Sequence, residues 1–121
     1  MNRLMQEYAD GLVLGDKDRR LLTVAFDDGA SFALPAELLR VMSPSAEVQG
    51  HSPEERATVP GKKAVRILRI EPVGNYAERI VFDDGHDTGL YSWIYLRELG
   101  ENKEERFQDY LAELAAKRLS R

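Results

Sequence analysis

The chain has 121 residues, of which 43% are hydrophobic and 31% charged, so it can form one packed domain over residues 1–121, and wholesale disorder is excluded. Its net charge of −4 disfavours a general electrostatic grip on nucleic acid or an anionic membrane, because both need a clustered basic surface. With no cysteine, no membrane-spanning apolar run and no signal-peptide pattern, the sequence predicts a cytoplasmic protein without disulfides or thiolate ligands.

The first half of the chain predicts a β-hairpin followed by a helix. Residues 21–26 alternate in polarity as a strand does, and Asp27-Asp28-Gly29 supplies a tight turn. The return strand over 31–34 leads into Pro35, which suits the first turn of a helix over 36–41.

After a polar loop over residues 49–63, the second half predicts a meander and then a second hairpin-plus-helix unit. Strands are expected over 64–71 and 77–82, and a short strand over 11–14 is expected to join the same sheet. The second helix should begin after Ser92 as N-cap and end at Gly100.

An internal repeat connects the two units. The two Phe-Asp-Asp-Gly words are 56 residues apart, and the pairs Leu39-Arg40 and Leu96-Arg97 are 57 apart. We therefore predict an α+β fold, in which a small, mainly antiparallel twisted sheet is built from two hairpin-plus-helix units.

The tail predicts an amphipathic C-terminal helix within residues 101–121. Its apolar residues recur at three- and four-residue steps: Phe107, Tyr110, Leu111, Leu114, Ala115 and Leu119. This stripe is expected either to dock on the chain's own sheet or to bind a partner or a second copy.

The residues with chemical potential allow two interpretations each. Asp27-Asp28 and Asp83-Asp84 are interpreted as turn residues, with paired catalytic carboxylates or hard-cation ligands as the alternative. His51 and His86 are interpreted as polar turn or surface residues, unless they converge with a carboxylate on one iron or zinc ion. The sequence lacks the Gly-x-Ser-x-Gly elbow and the glycine-rich phosphate loops.

Several segments together resemble one family, the gamma-butyrobetaine hydroxylase-like N-terminal domain, over about residues 11–100. The matching segments are Leu34-Pro35-Ala36-Glu37-Leu38-Leu39-Arg40, the stretch 43–51, Val73-Gly74-Asn75-Tyr76-Ala77 and the stretch 82–93. In the carnitine-pathway dioxygenases of this resemblance, the domain precedes an iron/2-oxoglutarate catalytic domain. A similar module is attached to some P-loop iron–sulfur carrier ATPases.

The resemblance also implies a zinc site that this chain cannot reproduce. The three cysteine ligands fall on Ser43, Ser45 and Val48, and the histidine ligand falls on His86. Because serine and valine cannot replace thiolates, we expect the structural zinc to be absent. Iron or another metal stays a candidate, with His86 and His51 as ligands.

Three functions follow in decreasing order of preference. The first is a non-catalytic adaptor acting through protein contacts, with an iron–sulfur carrier ATPase or an oxygenase as candidate partner. The second is a metal-binding protein using His86 with His51. The third is an autonomous enzyme, which is disfavoured because the catalytic domain of the dioxygenases does not fit in the remaining residues.

Overall fold

The computed structural model describes residues 5–8, 11–15, 18–50 and 56–121, with side chains for 18–50 and 56–121. A four-stranded antiparallel sheet contains, in order, β1 (Met5–Tyr8), β2 (Gly11–Gly15), β3 (Leu21–Phe26) and β4 (Ser31–Pro35). A three-stranded antiparallel sheet contains β5 (Ile67–Val73), β6 (Ala77–Phe82) and β7 (Leu90–Ser92). The helices are α1 (Ala36–Val41), α2 (Ala46–Gln49), α3 (Trp93–Glu101) and α4 (Lys103–Ala116). The α+β class is confirmed, with the strands divided over two sheets.

The two repeated units have the same turn. In the first, the amide of Phe26 donates to the carbonyl of Ala30 (2.8 Å), and the carboxylate of Asp28 accepts from the amide of Ala30 (3.1 Å). The second turn repeats both bonds 56 residues later, at 3.0 Å each, between Phe82, Asp84 and His86. Gly29 and Gly85 both have φ 91°, which glycine adopts without steric strain. The turn interpretation of the Asp doublets is confirmed for Asp28 and Asp84.

Both units also start their helices in the same way. The first helical amide donates to the carbonyl of the residue before the unit's first strand, from Ala36 to Arg20 (2.8 Å) and from Trp93 to Tyr76 (3.1 Å). Ser92 is the predicted N-cap of α3, and its hydroxyl accepts from the amide of Tyr95. The predicted helix over 36–41 is confirmed, and Pro35 is its N-cap in extended geometry rather than a residue of its first turn.

Three predictions, one about the sheet that a strand joins and two about element boundaries, are wrong. The N-terminal strand β2 pairs with β3 and therefore belongs to the first sheet, not to the β5–β6 meander. Strand β5 covers 67–73 rather than 64–71, so Pro72 and Val73 belong to the strand and not to the turn. Gly100 does not end α3 but lies inside it, because its missing side chain admits Phe32 against the helix.

The core joins both sheets with α1, α3 and α4. Tyr110 and Leu114 of α4 are buried in it, and Phe107 and Leu111 pack against its edge. The apolar stripe of the tail therefore docks on the chain's own domain, although Leu119 remains 39% exposed beyond the helix. The helix occupies residues 103–116 of the predicted 101–121.

One core position carries a carboxyl group. Glu78 on β6 is fully buried, and neither of its oxygens has a hydrogen-bond partner in the described part of the chain. Burial raises the pKa of Glu78 to about 7, because the charged form is poorly solvated there. The equivalent residue of the first unit, 56 positions earlier, is the buried Leu22.

Candidate functional site

The two units hold each other through reciprocal ion pairs. Arg40, on the helix of the first unit, pairs with Asp84 in the turn of the second (2.7 Å). Arg97, on the helix of the second unit, pairs with Asp28 in the turn of the first (2.9 Å). Each helix therefore anchors the turn of the other unit.

A second reciprocal contact separates the two sides chemically. A Cβ added to Gly100 would lie 2.8 Å from Phe32 Cβ, whereas one added to Gly89 would lie 2.5 Å from Ser43 Oγ. These pairs are related by the same 57-residue offset, Phe32 to Gly89 and Ser43 to Gly100. On one side, Phe32 of β4 fills the space left by Gly100. On the other side, Ser43, after the end of α1, fills the space left by Gly89. One side is therefore aromatic and the other polar.

The polar side contains a hydrogen-bonded chain of three side chains. His86 Nδ1 lies 3.1 Å from Glu47 Oε2, and His86 Nε2 lies 2.9 Å from Ser43 Oγ. A carboxylate can only accept, so Nδ1 carries the proton and Nε2 of the neutral ring accepts from the Ser43 hydroxyl. Burial first, and then the nearby positive charge of Arg40, lowers the pKa of His86 and keeps the imidazole neutral at pH 7.

This carboxylate–imidazole–hydroxyl order is that of a nucleophilic triad, but the hydroxyl is enclosed. Ser43 is fully buried, its Oγ also accepts from the amide of Ser45 (3.2 Å), and Gly89 packs directly against it. A nucleophile needs an open position beside it for the reacting carbon. The arrangement therefore connects the segment after α1 to the turn before β7, and among the described residues it leaves no open position beside the Ser43 hydroxyl.

The neighbouring polar residues reinforce that connection. Ser45 Oγ caps α2 by accepting from the amide of Glu47, and it also lies 2.6 Å from Thr88 Oγ1. Tyr91 and Tyr95 donate to the carbonyls of Leu39 and Met42 near the end of α1. The helix end and the β6–β7 connection are thus joined by hydrogen bonds at several points.

The aromatic side forms a groove of about 590 Å³ between the first turn and α3. Phe26 and Trp93 meet edge to face with ring centroids 6.2 Å apart, and the guanidinium of Arg97 lies 5.1 Å from the Phe26 ring centroid. Ile94 is 84% exposed at this groove. The carboxylates that line it belong to Asp27, Asp28, Glu98 and Glu101. The groove therefore combines an apolar floor with an acidic rim.

Comparison with known proteins gives the family. The model of the family described as gamma-butyrobetaine hydroxylase-like, N-terminal, matches residues 14–97. The chain belongs to this family. A search of curated proteins finds no significant match.

Solved structures agree with the fold. Two proteins studied by NMR in solution are 43% and 51% identical to this chain, with TM-scores of 0.76 and 0.75. The first comparison covers 100% of this chain and 91% of the other, and the second covers 90% and 83%. A crystal structure of a DUF971-family protein of unknown function from Acidithiobacillus ferrooxidans ATCC 23270 is 33% identical, with TM-score 0.60, covering 79% of this chain and 91% of that one.

The gamma-butyrobetaine hydroxylase-like resemblance implies zinc, and the residues here do not fit it. The structure brings Ser43, Ser45 and His86 together as the resemblance implies. However, the hydroxyls hydrogen-bond to His86 and Thr88, and Val48 is buried as an apolar side chain. Of these four described positions, His86 alone carries a side chain that is a usual ligand of structural zinc.

Other metal arrangements are equally limited in the described ranges. Within residues 18–50 and 56–121, no group of three His, Asp or Glu side chains is placed to hold a metal ion. His51, the second predicted ligand, lies outside the described residues. The metal prediction for His86 with His51 stays a prediction.

No helix in the described part of the chain has the length and apolar character to cross a membrane.

Sequence reasoning found His86 but not the residues around it. Glu47 and Thr88 lie in polar segments with no spacing signal, and only the fold brings them to His86 and Ser45. The groove also escaped prediction, although Ile94 carries a usable signal. It is an apolar residue between Trp93 and Tyr95, and the N-cap at Ser92 fixes its helical face.

Proposed function

We propose that this protein is a non-catalytic binding domain of the cytoplasm that acts through protein contacts at the groove between the first turn and α3. The exposure of Ile94, 84% of its surface, carries the proposal, because a large apolar side chain over an aromatic floor loses unfavourable hydration when a partner covers it.

The surroundings of Ile94 support this assignment. Tyr76 and Leu90, near the start of α3, are 61% and 45% exposed, and Trp93 donates its indole N–H to the carbonyl of Asn75. Exposed aliphatic and aromatic residues on rigid elements are typical of interface anchors. The enclosed Ser43 and His86 supply no competing site for substrate chemistry. From the family resemblance, an oxygenase or an iron–sulfur carrier ATPase is the candidate partner.

A photo-crosslinking amino acid at position 94 tests the proposal in cells. We expect a crosslink to one defined protein from position 94 and none from position 68, because Leu68 is similarly apolar and 46% exposed but does not line the groove. The purified partner should then bind the wild-type chain and lose about tenfold affinity or more on Ile94→Glu. Leu68→Glu is the matched control. Equal binding by both variants would refute the assignment.

The second candidate is metal binding at His86. The observation in its favour is that an imidazole and the Glu47 carboxylate lie together at one site, where they supply two ligand atoms. Metal analysis of protein purified without a histidine tag decides between the candidates. Stoichiometric iron or zinc that disappears in His86→Ala would favour metal binding over the adaptor function.

A further inference from the structure

The two turns of the repeat differ in the cations that pair with their aspartates. In the second turn, Asp84 pairs with Lys62 (2.7 Å) as well as with Arg40, and Asp83 accepts from the backbone amide of Arg66 (3.0 Å). The basic segment 62–66 of the chain itself therefore lies against this turn. Its contacts combine a lysine ammonium with main-chain hydrogen bonds, because the amide of Asp83 also donates to the carbonyl of Arg66 (2.9 Å).

The helix beside the second turn is covered as well. Glu37, which corresponds to Ile94 by the 57-residue offset, is 7% exposed at its side chain and forms a bidentate pair with Arg121 at 2.8 and 3.0 Å. The surface equivalent to the groove thus holds two cations from distant parts of the chain, Lys62 and Arg121.

The first turn has fewer of these partners within the described residues. Asp28 pairs with Arg97, but no lysine joins it, and its side chain is 57% exposed against 17% for Asp84. Asp27 pairs with no cation in the part of the chain that the structure describes. Ile94 stands where Glu37 is covered on the other side. The same turn and helix therefore present two acidic side chains and one apolar side chain to an incoming molecule.

We propose that the groove binds an extended, lysine-bearing segment of a partner protein through side-chain contacts, since the strand edge beside the first turn is already paired with β2, from Gly11 to Phe26. A lysine of the partner would reach Asp27 and Asp28, and an adjacent apolar side chain would pack on Ile94 and Trp93. This proposal rests on the proposed function and specifies the chemistry of the partner. Charge complementarity favours it, since four carboxylates line the groove against the two cations Arg97 and Arg106, and the Asp27 carboxylate pairs with no cation in the described residues.

A peptide copy of the chain's own segment is the direct probe. The labelled peptide Thr58-Val59-Pro60-Gly61-Lys62-Lys63-Ala64-Val65-Arg66 is titrated into 15N-labelled full-length protein. We expect saturable shifts of the amide resonances of Asp27, Asp28 and Ile94 and of the Trp93 indole. The binding should weaken with added salt, because exposed charges are screened. A peptide with glutamate at both lysine positions should not bind.

Charge reversal on the protein gives the matched test. Asp27→Lys should weaken peptide binding by about tenfold, because it replaces an attraction with a repulsion at an exposed site. Asp18→Lys, the same charge change at an exposed residue that does not line the groove, should leave binding unchanged. The 15N spectrum of each variant shows whether the fold is retained.

The outcomes separate this proposal from the proposed function. Absence of saturable shifts at millimolar peptide, or equal binding by Asp27→Lys and Asp18→Lys, would overturn the lysine-segment assignment. If the partner crosslinked at position 94 still binds in that case, the adaptor function stands and the inference about its chemistry fails. Concentration-dependent shifts of the same resonances without peptide would identify a second copy of this chain as the occupant and would also overturn the proposal.

Discussion

The two turns of the repeat have the same backbone hydrogen bonds and opposite surroundings. Asp84 in the second turn is enclosed by Arg40 and Lys62, whereas Asp28 in the first turn has Arg97 and remains more than half exposed. On the helices, Glu37 is buried against Arg121, while Ile94 projects from the surface. The local sequence thus determines the turn, and residues far away in the chain determine whether its aspartate is enclosed or exposed.

The same difference applies to the space between the units. Phe32 fills this space on the groove side because Gly100 has no side chain there, and Ser43 fills it on the histidine side because Gly89 has none. On the groove side, the Phe32 ring packs edge to face on Phe26, which lines the groove, and on the other side the Ser43 hydroxyl supplies a hydrogen bond to His86. The differences at two pairs of equivalent positions, Phe32 with Gly89 and Ser43 with Gly100, give the repeated scaffold two chemically distinct sides.

The largest expected effect concerns Glu78, which stands where the first unit has Leu22. The folded pKa of about 7 lies above the ordinary value of 4.5, so the folded state retains a proton that the unfolded state loses. The free energy of unfolding should therefore fall as pH rises from about 4.5 to about 7, by about 3 kcal/mol in total. Glu78→Leu should remove this loss and stabilise the protein at pH 8, measured by urea unfolding at pH 5 and pH 8.

Glu78→Gln is the isosteric control, and it should remove the same pH dependence without adding apolar volume. Wild-type protein that is equally stable at pH 5 and pH 8 would show that the Glu78 carboxyl is not desolvated as the structure has it.

The next effect compares the two turn carboxylates. Burial alone would raise the pKa of Asp84, but hydrogen bonds from Lys62, the amide of His86 and Arg40 outweigh it and lower the pKa to about 2. A lowered pKa stabilises the fold above the ordinary value of 3.8, and this contribution is lost as pH falls through about 2. Asp84→Asn should therefore destabilise the protein at pH 7 by about 2 kcal/mol.

Asp28→Asn is the matched variant in the first turn. Its side chain is 57% exposed, so solvent screens its pair with Arg97, and the loss of stability should be clearly smaller. Thermal unfolding of both variants at pH 7 measures the difference. Equal destabilisation would contradict the conclusion that only the second turn is part of the core.

The sequence predicts the repeated turns well because their information is local. Asp and Gly at fixed positions define the hairpins, and Ser92 defines the start of α3. The prediction of the sheet to which β2 belongs was wrong, because an isolated short strand carries no signal for its partner. The prediction that Gly100 ends α3 was also wrong. Glycine can end a helix through its backbone freedom, but it also permits close packing, and only the position of Phe32 decides between these two roles.

The site was predictable only where the resemblance supplied positions. Ser43, Ser45 and His86 do come together, but their hydrogen bonds depend on Glu47 and Thr88, which no pattern distinguishes from solvated residues. The groove depends on contacts of Phe26 with Trp93 and Arg97, which lie 67 and 71 residues later in the chain, and no periodicity describes such contacts.

A smaller effect is expected from Gly100→Ala. A methyl group there would lie 2.7 Å from Phe32 Cδ2 and 2.8 Å from its Cβ, so the ring or the helix must move. Overpacking should outweigh the gain of about 1 kcal/mol in helix propensity, giving a net loss of about 1–2 kcal/mol in urea unfolding. Phe32→Leu combined with Gly100→Ala should recover part of this loss. A stabilised Gly100→Ala variant would refute the close approach.

The smallest effect separates the polar side from the aromatic one. Ser43→Ala removes the donor to His86 Nε2 and the acceptor for the amide of Ser45, so we expect a loss of about 1 kcal/mol in thermal unfolding. Ser31→Ala, at an exposed position of β4, is the control and should have no measurable effect. An unchanged stability in Ser43→Ala would mean that the other contacts between the end of α1 and the β6–β7 connection hold it without the Ser43–His86 hydrogen bond. The hydrogen-bonded chain through His86 would then add no stability beyond that of an ion pair like the one between Arg97 and Asp28.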